Sequence, residues 1–260
     1  MKPMIIKVGG ALLDCEVGIE RLFGTLAALN SQGWQPLLVH GGGTLVDSHL
    51  QAHGFSSSKH QGLRVTPAEQ IPVVAAALAG GANSALVAAA IAAGLTPVGL
   101  SLADGGMTTA TVLDPQLGMV GQVQPQDASL PTLLLQQGML PIVSSIAVDS
   151  NGQRLNVNAD QAATALCQLL QAPLVLLSDV SGVLDGKGKL IPQLTPQLAA
   201  TLTAQGVIEG GMKVKVESAL AAAKAINNQV LVASWRYPEQ LAALIQGEPV
   251  GTVISASAQA

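Results

Sequence analysis

Short apolar runs of β-forming residues alternate along the chain with Ala- and Leu-rich stretches of helical period, and glycines mark many of the changeovers. That alternation predicts an α/β fold in which a parallel sheet carries helices on its faces. Strands are expected over 4–8, 37–40, 95–100, 140–144, 174–177 and 229–233. Helices are expected over 16–31, from Gly43 to about His53, and over 67–93, 126–138, 158–171, 195–205 and 212–227. Thr66-Pro67 reads as the cap and first turn of the third of these. Residues 107–124 read as a hairpin broken at Asp114-Pro115, and Asn151-Gly152 and Asp185-Gly186-Lys187-Gly188 as hairpin turns. No repeat or low-complexity linker separates domains. A division into two lobes falls around residues 172–178, with one sheet running across it.

Composition narrows the picture. Of 260 residues, 49% are hydrophobic and 11% charged, against about 25% charged in an average globular protein. Polar side chains are therefore few. Lys and Arg number 12 against 16 Asp and Glu, a net charge of −4 with no run of like sign. A nucleic-acid footprint and a polybasic membrane patch are thereby disfavoured. Aromatics at 2% leave little from which to build a base-stacking platform. Residues 71–95 are uncharged and Ala-rich, which is the arithmetic of a membrane span. Gly80, Gly81, Asn83 and Ser84 at its centre, without flanking basic residues, make a buried, interface-type helix the expectation instead. The first apolar run carries Lys2 and Lys7 and no cleavage-type segment, so a soluble, cytoplasmic protein is expected. Cys15 and Cys167 lie far apart in no metal-ligand spacing.

Candidate chemistry sits at strand ends, where open α/β sheets bind ligands. Lys7-Val8-Gly9-Gly10 puts a lysine at the tip of the first strand, and His40-Gly41-Gly42-Gly43 repeats the glycine loop after the second. Glycine lets backbone N–H groups approach an anion closely. Taken singly, each loop could be a tight turn; two in consecutive βα units point to an anion site. Gly182-Val183-Leu184-Asp185-Gly186-Lys187 falls one residue short of the P-loop and lacks its Ser/Thr, and the dinucleotide fingerprint is missing from the first βα turn. Arg64, within Gly62-Leu63-Arg64-Val65-Thr66, offers a planar fork for a carboxylate or is a solvated surface residue. In Asn156-Val157-Asn158-Ala159-Asp160, Asn158 or Asp160 caps a helix and Asn156 is free to bind substrate. Gly210-Gly211-Met212-Lys213-Val214-Lys215 sets two lysines in the first turns of a helix, against its dipole, which suggests an anion nearby. His40, His49, His53 and His60 cluster, and His49 and His53 stand at i, i+4. With no third ligand in suitable spacing, His49 and His53 are read as exposed helix residues. No Ser–His–Asp or Cys–His arrangement is persuasive.

These motifs, with Ser178-Asp179-Val180-Ser181-Gly182-Val183, come in an order that resembles the amino acid kinase family over about residues 4–254. The resemblance is to the members that phosphorylate N-acetyl-L-glutamate in arginine biosynthesis. It implies an open αβα sandwich around a mostly parallel sheet, with residues 1–172 binding acetylglutamate and forming a homodimer, and 173–260 binding ATP. It further implies ATP with Mg²⁺, no protein metal site, and conversion of the side-chain carboxylate to the 5-phosphate. Lys7 and Lys215 are then expected to neutralise the transferring phosphoryl group, with Asp160 orienting both. Gly9, Gly10, Gly42 and Gly43 are expected to supply backbone amides, and Arg64 and Asn156 to hold the acceptor. Asp179, Val180, Ser181, Gly182, Val183, Leu184, Val207, Ile208, Glu209, Gly211 and Met212 are expected to line the nucleotide site. Members that form hexamers and respond to arginine look as if they carry an extra N-terminal helix. This chain starts on its first strand, so a dimer without arginine feedback is expected. A related kinase acting on acetylaminoadipate, a non-catalytic nucleotide-binding domain and a dinucleotide-dependent oxidoreductase are the weaker alternatives.

Overall fold

A computed structural model of the chain describes residues 2–245, 248 and 250–256. The outermost bounds of the expected lobes, Met1 and Ala260, lie outside the described residues. The strands in chain order are β1 (Lys2–Val8), β2 (Trp34–His40), β3 (Ser58–His60), β4 (Leu63–Val65), β5 (Pro97–Ser101), β6 (Thr108–Val112), β7 (Val120–Pro125), β8 (Leu140–Ser144), β9 (Ile146–Val148), β10 (Arg154–Val157), β11 (Leu174–Ser178), β12 (Gln193–Leu194), β13 (Val230–Ser234) and β14 (Thr252–Ile254). One sheet has eight strands in the order β12-β14-β13-β11-β1-β2-β8-β5. Every neighbouring pair in it is parallel except β13–β14. Its centre is β1, paired with β2 on one edge and β11 on the other, so the sheet runs unbroken past residues 172–178. A smaller sheet, β6-β7-β10-β9, contains the hairpin across Asp114-Pro115 and the one turned at Asn151-Gly152.

The helices are α1 (Gly10–Leu13), α2 (Glu16–Ser31), α3 (Gly43–Ala52), α4 (Ile71–Ala75), α5 (Asn83–Ala92), α6 (Ser129–Gln136), α7 (Ala159–Leu170), α8 (Pro196–Ala204), α9 (Gly210–Ile226) and α10 (Gln240–Ile245). They cover the large sheet on both sides, and the strand period decides which side chain meets which layer. Met4, Ile6 and Val8 face one layer with Leu22, Phe23, Leu26 and Leu29 of α2 and Leu86 of α5. Ile5, Leu174 and Leu176 face the other, with Leu166 and Cys167 of α7 and Ala219 and Ala223 of α9. Each fully buried Leu, Ile or Phe contributes roughly 1.5–3 kcal/mol. Lys7 shares the parity of Ile5. It therefore emerges on the α7/α9 side.

Most expected elements form within a few residues of their predicted ends; two features differ. The helix predicted from Pro67 begins at Ile71, with Pro72 in its first turn. Thr66 is buried instead, its N–H donating to Leu117 O at 2.8 Å while its carbonyl accepts from Met119 N at 2.7 Å. Gly118 makes that close pairing possible, since a Cβ there would lie 2.4 Å from Thr66 O. Between α4 and α5, Ala76–Ala82 forms a π segment, giving one helical rod of 22 residues from Ile71 to Ala92 with mean hydropathy 1.8. That rod is long and apolar enough for a span by length and composition, yet its inward residues pack into the core, with Leu86 and Ala90 beside the sheet. Cys167 is buried, its thiol donating to Ala172 O at 2.6 Å, and burial pushes its pKa up to about 12. Cys15 is half-buried and unpaired.

Candidate active site

The parallel strands β1, β2, β8, β11 and β13 end along one edge, in register through Val8, His40, Ser144 and Leu177. Along this edge Lys7 pairs with Asp160, Nζ to Oδ1 2.8 Å, both side chains largely withdrawn from solvent. Asp160 is held in the first turn of α7 because Asn158 is the cap: Asn158 Oδ1 accepts from Asp160 N at 2.9 Å and Gln161 N at 3.2 Å. Lys215, on α9, pairs with Asp179, the residue after β11. Hydrogen bonding from Lys215 holds the Asp179 carboxyl below the usual carboxylate range. The four charged groups open into one cavity of about 280 Å³, with Gly9, Gly10 and Trp235 among its walls. Asp160 therefore engages Lys7 and not Lys215, whose carboxylate partner is Asp179. Of the two lysines early in α9, Lys213 instead points along the helix toward Glu217, at 3.9 Å.

A neighbouring cavity of about 180 Å³ gathers Gly42, Gly43, Arg64 and Asn156, with Asn158 and Ala159 linking it to Asp160. Arg64 is carried on β4, behind a turn in which Gln61 and Gly62 both adopt positive φ, 50° and 81°. This is the signature of a tight hairpin. Its guanidinium Nη1 donates to Asp47 and Ser57, and Nη2 donates to Gly43 O at 3.0 Å. Asp47 is held below its ordinary pKa chiefly by the Arg64 hydrogen bond. The Asn156 amide donates to Thr66 Oγ1 at 3.1 Å, which fixes the rotamer. The two glycine loops touch: a Cβ on Gly10 would stand 2.8 Å from Gly43 N. At Gly9 and Gly43 a Cβ would meet nothing within 4 Å, because both border open space.

The other expected nucleotide-site residues form two segments beyond β11. In Asp179–Leu184, Val180 is half-buried, Ser181 and Leu184 are exposed and Val183 is buried in the core. Gly182 bends at φ 146°, and the Val183 N–H donates to Thr252 Oγ1 at 2.8 Å. Val207 stands 3.4 Å from where a Gly186 Cβ would lie, Ile208 is buried, and Glu209 caps α9, in whose first turn Gly211 and Met212 follow. Val183 and Ile208 turn their side chains into the core. His40 ends β2 as a fully buried strand residue, and burial lowers its pKa to about 4. Asp47 and Ser57, which fix Arg64, were not legible: neither belongs to a motif, and only folding brings them to the arginine.

An open α/β sheet whose carboxyl edge gathers lysines, carboxylates and paired glycine loops defines a phosphotransferase, an enzyme that manages phosphate charge with cations and amides. The chain belongs to the amino acid kinase family, which residues 2–234 match. It is 57% identical over 259 residues to a protein of Shewanella halifaxensis named acetylglutamate kinase, covering 99% of this chain and 96% of that one. Among solved structures, smu.665 from Streptococcus mutans superposes with a TM-score of 0.80 at 27% identity, covering 98% of this chain and 99% of that one. The carbamate kinase of Giardia shares the fold, with a TM-score of 0.69 at 17% identity over 98% of each chain.

Proposed function

We propose that this kinase transfers the γ-phosphoryl group of ATP to the side-chain carboxylate of N-acetyl-L-glutamate, in arginine biosynthesis. A carboxylate oxygen attacks the γ-phosphorus, the bond from that phosphorus to the β,γ-bridging oxygen breaks, and ADP departs with the electron pair. A glutamate side chain, with a pKa of about 4.3, is already ionised at neutral pH, so no general base is needed. The obstacle is the repulsion between two anions. Lys7 and Lys215 relieve it from two directions, and the amides of Gly9, Gly10, Gly42 and Gly43 add donors that need no reorganisation. Asp160 keeps Lys7 aimed while Asp179 holds Lys215 until phosphate arrives.

Arg64 and Asn156 hold the acceptor. Three of the guanidinium N–H donors fix the fork in place, and a bidentate grip on a carboxylate needs two of its five. Residues 1–172 form the acetylglutamate lobe and 173–260 the ATP lobe, with Asp179–Leu184 and Val207–Met212 along the nucleotide. Bound with ATP, Mg²⁺ would supply further charge neutralisation. Asp160 and Asp179 are each tied to a lysine, so the ion would be held mainly by phosphate oxygens, as Mg²⁺ commonly is. The enzyme works in the cytoplasm as a homodimer joined through the Ile71–Ala92 rod. Its outward face carries the small residues Ala76, Ala79, Gly80 and Gly81, with Ile91 61% exposed.

One observation carries the reading: lysines from opposite ends of the chain open into a single cavity, beside another lined by Arg64 and Asn156. The test is ATP-dependent acyl phosphate formation, trapped as hydroxamate, with glutamate, N-acetylglutamate, aspartate and acetylaminoadipate as acceptors. N-acetylglutamate is expected to dominate. Preference for any other acceptor, or ATP turnover without hydroxamate, overturns the assignment.

A further inference from the structure

The mechanism above leaves His40 without a role, although this residue sits directly before the glycine loop and is completely buried. Its hydrogen bonds settle which nitrogen carries the proton. A carbonyl can only accept, so Nδ1–H donates to Gly41 O at 3.0 Å. An amide nitrogen can only donate, so Nε2 accepts from Asn83 Nδ2 at 3.1 Å. The same amide donates to Ile142 O at 2.8 Å, which ties α5 to the end of β2 and the middle of β8. With its pKa lowered to about 4 by burial, the ring stays neutral and the arrangement is single-valued at physiological pH.

Two features accommodate Asn83. In α5 the buried stripe is Asn83, Leu86 and Ala90, whereas Ala76 and Ala79, seven residues before the first two, are exposed. The π segment Ala76–Ala82 absorbs that shift of register and turns Asn83 inward. On β5, Gly99 leaves the room: a Cβ there would lie 2.3 Å from Asn83 Oδ1.

We propose that His40 and Asn83 are positioning residues for phosphoryl transfer: by holding the Gly41 carbonyl they set the direction of the Gly42 N–H. The peptide between Gly41 and Gly42 is trans, and in a planar trans peptide the N–H points opposite to the C=O. A carbonyl drawn toward the buried ring therefore sends the Gly42 N–H the other way, toward the cavity that Gly41, Gly42 and Gly43 line. Glycine alone would leave that peptide free to rotate, and the histidine removes the freedom.

This inference rests on the phosphoryl-transfer reading, and its test separates the two. Steady-state kinetics and amide hydrogen exchange are measured on the full chain carrying His40→Leu, His40→Asn or Asn83→Ala. His40→Leu is expected to lower kcat roughly 10–100-fold, below the full loss of one oxyanion donor, while KM for ATP moves less than about 3-fold. Exchange at Gly42 quickens. His40→Asn, whose side-chain amide can donate to Gly41 O, recovers most of the turnover and of the protection. Asn83→Ala, which keeps the ring and removes its anchor, shows the same pattern more weakly and serves if His40→Leu does not fold. Unchanged kcat and Gly42 exchange in folded His40→Leu, or an equal loss in the folded Leu and Asn variants, overturns the proposal. Should the parent enzyme make no hydroxamate from N-acetylglutamate, the functional reading falls, and the exchange data still decide the positioning claim.

Discussion

Replacing Lys7 with Met removes a charge and little else, because the two side chains have similar length. Two unit charges about 4 Å apart at an effective dielectric of ~20 interact by roughly 4 kcal/mol. At 1.36 kcal/mol per decade that would slow transfer by about 10³. Asp160 stands 2.8 Å from the ammonium and already takes up part of its field. A loss of about 10² in kcat is therefore the working figure, at the lower end of what one transition-state donor is worth. Hydroxamate formation measures kcat, and calorimetric titration measures ATP affinity, which should change less than about 3-fold. Adding Asp160→Asn to Lys7→Met should recover thermal stability by removing the unpaired carboxylate, without restoring turnover. The reasoning is refuted if kcat and ATP affinity fall by the same factor, since the lysine would then bind nucleotide rather than favour the transition state.

Arg64→Ala should raise KM for N-acetylglutamate roughly 30–5000-fold, from the 2–5 kcal/mol that a truncated charge pair typically costs, and leave KM for ATP nearly unchanged. Arg64→Lys should not rescue it, because an ammonium cannot reproduce the fork; the reverse split in KM would place the arginine with the nucleotide. His40 makes folding sensitive to acid. The unfolded chain takes up its proton near 6.5 and the folded chain near 4, so between these values the unfolded state binds more protons. Stability is therefore complete above 6.5 and falls as pH drops toward 4, by about 3 kcal/mol in all. Urea midpoints from pH 8 to 4 should follow that slope in the parent chain and flatten in His40→Asn; parallel slopes would contradict it.

Much of this arrangement could be read before folding. Alternation of strand and helix signals, with glycines at the joins, was enough for the α/β architecture. The strand period even accounts for Lys7 meeting α7 and α9, since Lys7 has the parity of Ile5. Pairings between distant segments were a different matter. Asp160 follows β10 of the smaller sheet and Asp179 follows β11 of the large one, and only the path of α9 decides that Lys215 meets the latter. His40 was legible as the end of a buried strand, but its hydrogen bonding depends on a neighbour that local sequence does not name. Its partner Asn83 lies in an Ala-rich run, where a π segment shifts the register of the buried face. Thr66-Pro67 carried a sound capping signal, but pairing of Thr66 with Leu117 and Met119 prevailed over it.

The contrast between the two cysteines gives the molecule a practical handle. Thiolates are the species that alkylating reagents capture, and Cys167, with a pKa near 12 and no route to solvent, presents almost none. Cys15 is half-buried at the start of α2, one short helix away from Gly9 and Gly10. A maleimide fluorophore should therefore attach at a single place without prior mutagenesis, and its emission would report when the first glycine loop moves during turnover.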